Sequence, residues 1–95
     1  MTRSLVFFCR SLPSTVSDAL SLHGYRVFEA LAVSEVLHLC EHEDVDCVVI
    51  ASDVSDEPAR VVAEHSVTLR LRPEATAADV LWELSQLFGS DVRVQ

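Results

Sequence analysis

Basic side chains are scarce in this chain: Lys and Arg total 7 against 15 Asp and Glu, a formal net charge of −8. Nucleic acid and anionic membrane surfaces bind by exchanging counterions for Lys and Arg. Neither is an expected partner for a protein with a pI near 4.7. Cysteine is limited to Cys9, Cys40 and Cys47, an odd count without paired spacing. That excludes a disulfide framework and fits free thiols in a reducing compartment. No apolar run approaches the ~18–20 residues that cross a bilayer. The early run in MTRSLVFFCRSLP is cut by Arg10 and Pro13, so it makes a poor signal peptide. A cytoplasmic location is expected. There is no charge run, low-complexity tract or internal repeat, and 95 residues suffice for one compact domain.

What the chain does have is a hydrophobic fraction of 49% arranged in a regular alternation. Ser4–Cys9 is a continuous apolar run of strand length. Pro13, Ser14 and Thr15 then open a helix, with Thr15 and Asp18 as a capping pair and Gly24 as its stop. Tyr25–Leu31 reads as a strand. Ser34 to about Glu43 reads as a helix whose stripe is Val33, Val36, Leu37 and Cys40. Asp46–Ala51 forms a third strand, and Asp56, Glu57 and Pro58 open a third helix through His65. Val67–Arg72 alternates with period two. Thr76 and Asp79 cap a last helix that ends at Phe88-Gly89, with a tail over 89–95. Alternating strands and helices predict a three-layer α/β fold: a four-stranded parallel sheet with helices on both faces. The first and third strands are apolar almost throughout, as central strands are, and VTLRLR suits an edge. The order 2-1-3-4 follows, and ligands in such sheets bind beyond the carboxyl ends of the strands. The residues at that rim are Cys9, Arg10, Ala51, Ser52, Asp53, Arg72 and Pro73.

The segment GYRVFEALAVSEVLHLCEHEDVDCVVIASDV resembles the middle of a response-regulator receiver domain, and LRLRPEATAADVLWELSQLF resembles its last strand, Lys-Pro step and final helix. Together they cover most of the chain. The resemblance implies a flavodoxin-like sheet and a place in signal transduction or a phosphorelay. A receiver holds magnesium with an acidic pair after its first strand, beside a phosphoacceptor Asp after its third. Here the first strand ends in Cys9 and Arg10, which offer no carboxylate to a hard cation. The acceptor position falls on Ala51; the family's Lys matches Arg72 and its Pro matches Pro73. Only one helix fits between Ala51 and Arg72, where the family has two helices and a strand. The chain therefore resembles a shortened, degenerate receiver that needs no cofactor or metal. Asp53, with Asp56 and Glu57, reads either as a substitute carboxylate site or, preferably, as an acidic loop capping the next helix.

CRSLPSTV is also similar to the phosphocysteine loop of phosphotransferase-system IIB domains of the lactose/cellobiose type. There Cys9 would be a nucleophile at a helix N-terminus with Ser14 and Thr15 beside it, its thiolate favoured by that position. The loop lacks glycine, and Pro13 removes a donor. A tyrosine-phosphatase pattern fits less well, because Thr15 stands where that family has Arg. His38 and His42 share zinc-compatible spacing without an evident third ligand, so a solvated helix face is the simpler reading. In the last helix Ala77, Val80, Leu81, Leu84 and Phe88 form the core stripe, and Trp82 lies off it. Trp82, with Thr68, Arg70 and Arg72 on one side of the edge strand, forms the expected contact surface. The preferred expectation is a phosphorylation-independent interaction module, not an enzyme, that works as a homodimer. The alternative is a carrier phosphorylated on Cys9.

Overall fold

The computed structural model describes residues 3–10 and 12–88, so the expected stop at Gly89 and the tail over 89–95 lie outside the described residues. The elements alternate as β1 (Ser4–Phe8), α1 (Ser14–Leu22), β2 (Arg26–Ala30), α2 (Val33–His42), β3 (Cys47–Ile50), α3 (Asp56–His65), β4 (Thr68–Arg70) and α4 (Ala77–Phe88). The four strands form one parallel sheet in the order β2-β1-β3-β4. The expected fold and strand order are therefore found.

Every residue of β1 and β3 is buried, which is why neither strand shows a polar alternation. Pleating splits them between two cores. Val6, Phe8, Val48 and Ile50 meet Val36 of α2 and Ala59 and Val62 of α3. Leu5, Phe7, Cys9, Cys47 and Val49 meet Leu20 of α1 and Val80 and Leu84 of α4. Connection handedness accounts for this partition. The chain steps one way from β1 to β2 and the other way from β2 through β3 to β4. Right-handed crossovers then require α1 on one face and α2 and α3 on the opposite face.

Helix ends follow local chemistry, with corrections to the sequence-based expectation. Pro13, not Thr15, occupies the N-cap of α1, and no side chain caps that end. Proline's fixed φ supplies the extended-to-helical turn without Asp18. At the other end Gly24 takes φ +90°, Tyr25 N–H donates to Leu20 C=O at 3.0 Å and Gly24 N–H to Ser21 C=O at 3.0 Å. This paired reverse bonding closes the helix with Leu20 and Tyr25 in the same core. Glu35 of α2 turns back to accept the N–H groups of Leu31 (2.7 Å) and Ala32 (3.2 Å). Val33, Val36, Leu39 and Cys40 pack on the core, so Leu39 replaces the expected Leu37. The packed face is turned toward the side of Leu39, leaving Leu37 at its margin. The cap of α4 is as expected: Thr76 N–H donates to Asp79 Oδ2 at 3.0 Å, and Asp79 N–H to Thr76 Oγ1 at 3.3 Å.

Asp46 clamps the start of the sheet. Its Oδ2 accepts Ser4 N–H at 2.8 Å, and its own N–H donates to Ser4 C=O at 2.8 Å. β4 is shorter than the alternating run Val67–Arg72, with only 3 residues in strand pairing. The Leu71 N–H to Ile50 C=O bond at 2.9 Å adds one more rung. Replacing fully buried Leu84 by Ala is expected to cost about 2–5 kcal/mol in urea unfolding. Leu22→Ala, at a site 87% exposed, should change stability by no more than about 0.5 kcal/mol.

Candidate functional site

Because the chain leaves β1 and β3 toward opposite faces, a crevice opens beyond their carboxyl ends. A half-open cleft of about 250 Å³ occupies it. Its floor is Phe7, Cys9 and Ala51, where the ladder ends in the Cys9 N–H to Ala30 C=O and Ala51 N–H to Phe8 C=O bonds. One wall is Leu12, Pro13 and Val16, from the lead-in and first turns of α1. The other is Leu71, Pro73, Ala75 and Val80, from the segment that joins β4 to α4. Ser52, Asp53 and Arg72 stand among the lining as its hydroxyl and charged groups.

The structure gathers most of the rim expected from sequence. Cys9, Ala51, Ser52, Asp53, Arg72 and Pro73 all line the cleft. Arg10 does not; it is exposed, and its backbone N–H reaches Asp53 Oδ2 at 3.4 Å. Asp53 therefore ties the loop after β3 to the loop after β1 and does not cap α3, whose N-cap is Ser55. Asp56 points elsewhere, to the Arg70 guanidinium at 3.5 Å. The acidic loop thus divides between different partners. Among the described residues no three His, Cys, Asp or Glu side chains come together as a metal site. His38 and His42 face each other with ring centroids 4.3 Å apart on the exposed side of α2.

Cys9 differs from the activated thiol of the phosphocysteine expectation. Burial, then the charges of Asp53 and Glu29, push its pKa up from 9.0 to about 11. The thiol is neutral at pH 7 and donates toward Phe7 C=O at 4.0 Å. Ser14 and Thr15 are exposed and absent from the cleft lining, where Pro13 and Val16 stand instead. The expected grouping of Cys9 with Ser14 and Thr15 is not formed. Val16 of α1 lines the cleft, while the hydroxyl residues Ser14 and Thr15 are exposed to solvent. Cys47, fully buried, is likewise raised to about 11 by burial and then by Asp46. Cys40 is only half-buried, with its Sγ 3.2 Å from Ser66 Oγ.

The expected contact surface is also divided. Thr68 and Arg70 pair in register with Val48 and Ile50, so they point to the α2/α3 side. Arg70 Nη2 donates to Val54 C=O at 2.7 Å, which straps the loop after β3 to the edge strand. Trp82 is 61% exposed on the opposite layer, beside a shallow groove lined by His23, Tyr25, Ala78, Leu81 and Ser85. Thr68, Arg70 and Trp82 are thus not one surface. Sequence reading missed the apolar walls of the cleft. Leu12 and Ala75 carried no signal, while Leu71 was legible from the alternation in VTLRLR.

No family model, curated protein or solved structure matches the chain.

Two results are expected from this geometry. The raised thiols keep native-state protons that unfolded thiols lose above pH 9.0, so stability is fully present below pH 9.0 and falls as pH rises toward about 11. Denaturant unfolding across that range should show the fall, and Cys9→Ala should make it shallower. Arg70→Met should speed amide exchange in Ser52–Asp56 while leaving α1 unchanged, as read by hydrogen-exchange NMR.

Proposed function

We propose that this protein is a receiver-like interaction module that has no phosphoryl chemistry and works by protein contact, as a homodimer formed through the α1/α4 face. The observation that carries the proposal is Trp82, 61% exposed in the middle of α4. Trp is among the most frequent interface anchors, because it buries a large area at small entropic cost. Leu22, just before the groove residue His23, is 87% exposed. Among the described residues, no Asp, Glu, Lys or Arg lines the groove beside Trp82.

That lack of charge favours a second copy as the occupant. Two chains of net charge −8 repel wherever their acidic surfaces meet. They approach at least cost where the surface is uncharged. The knob, Trp82, and the groove edged by the small residues Ala78 and Ser85 lie on the same patch. A two-fold axis requires such self-complementarity. At the rim, the alanine at position 51 offers no oxygen to a phosphoryl group. Cys9 is held neutral by burial and nearby carboxylates. Both features support contact over group transfer.

Sedimentation equilibrium at about 100 μM should give twice the 10.5 kDa chain mass, and Trp82→Ala should return the monomer with an unchanged circular dichroism spectrum. A wild-type monomer under these conditions, or a dimer indifferent to Trp82→Ala, overturns the proposal. Incubation with acetyl phosphate and magnesium should leave the intact mass unchanged. An adduct lost in Cys9→Ser would establish the phosphocysteine carrier instead, and one lost in Asp53→Asn would make Asp53 the acceptor.

A further inference from the structure

The cleft at the carboxyl ends of β1 and β3 has no part in the contact surface, and its chemistry points to a small ligand. We propose that it binds the zwitterion of an apolar α-amino acid. The tail would lie between the α1 wall and the β4–α4 wall, the carboxylate on Arg72 and the ammonium on Asp53.

Size sets the first limit. A cavity of roughly 150 Å³ accommodates benzene, so about 250 Å³ takes about ten non-hydrogen atoms. That corresponds to an aliphatic amino acid such as leucine seated in the cleft. The walls set the second limit. Leu12, Val16, Leu71 and Val80 present hydrocarbon, and the neutral Cys9 thiol at the floor behaves as a small hydrophobe. A polar or charged tail would lose its hydration there without gaining a hydrogen-bond partner.

The charged groups set the third. Among the described residues the Arg72 guanidinium makes no hydrogen bond or ion pair. The Asp53 carboxylate has one long bond, 3.4 Å from Arg10 N–H. Both line one cleft without pairing with each other. A simple carboxylic acid would satisfy Arg72 but bring like charge toward Asp53. An amine would do the reverse. Only a ligand with both charges meets both groups, and a guanidinium is well shaped to take a carboxylate in two parallel hydrogen bonds.

The test is a titration of the ¹⁵N-labelled full chain with L-leucine, 4-methylpentanoate and 3-methylbutylamine, followed by heteronuclear NMR. Leucine should shift the amides of Cys9, Ala51, Ser52 and Leu71 saturably, with a Kd on the order of 1 mM or tighter. The acid and the amine should each bind at least about tenfold more weakly. Asp53→Asn and Arg72→Gln should lower leucine affinity by a similar factor. Both residues are exposed, so the spectra of the variants should otherwise overlay on wild type. Ala75→Phe, which adds a ring to the cleft wall and leaves both charged residues in the chain, should abolish the shifts. No saturable shift with leucine, equal binding of the acid or the amine, or shifts that survive Ala75→Phe would each overturn the proposal.

Discussion

The structure depends on the pairing of β1 with β3, two strands buried on both faces. Leu5 to Phe8 lies in register beside Cys47 to Ile50, and all of these residues are removed from solvent. A parallel pair has no hairpin to hold it, so its register comes from the side chains it buries and from its end clamps. Asp46 is such a clamp: its two hydrogen bonds to the Ser4 backbone hold the amino end of the sheet. The helices cover what this pair exposes, α1 and α4 over the odd-numbered residues of β1 and α2 and α3 over the even-numbered ones. The edge strands are then free to be short or half-exposed.

The same arrangement creates the cleft. Two adjacent strands whose connections leave toward opposite layers cannot fill the space between their carboxyl ends with backbone. In this chain the space is closed at its floor by a methyl group and a thiol. Burial and two carboxylates oppose the thiolate, the same physics that makes a buried cysteine inert elsewhere. The floor therefore presents a neutral thiol and a methyl group, with Asp53 and Arg72 beside it.

On the other side of the α1/α4 layer lies the groove beside Trp82, which among the described residues is lined by no Asp, Glu, Lys or Arg. The two candidate surfaces share α4. Val80 lines the cleft, and Leu81 and Trp82 line the groove. Successive positions on one helix differ by about 100°, so one element serves both without either surface intruding on the other. Arg70, which sequence reading grouped with Trp82, is instead held on the far layer by the Val54 carbonyl.

The sequence by itself determined the alternation of elements, the strand order and the rim. Unbroken apolar runs mark central strands, VTLRLR marks an edge, and the residues after each strand must lie at its carboxyl end. These are local periodicities, and the connection rules of parallel sheets leave only a handful of arrangements that fit them. It also determined that position 51 carries no acceptor oxygen, since that is a matter of residue type. Tertiary structure alone decided what each rim side chain does. Asp53 meets the Arg10 backbone instead of capping α3, because the loops after β1 and β3 converge in space though they lie 43 residues apart in the chain. The Cys9 pKa rises because burial in the α1/α4 core, and then the charges of Asp53 and Glu29, oppose the thiolate. Thr68 and Arg70 part from Trp82 because the pleat of β4 and the return of α4 to the α1 layer put them on opposite faces. Each of these outcomes depends on distances between segments remote in sequence, which no local pattern encodes.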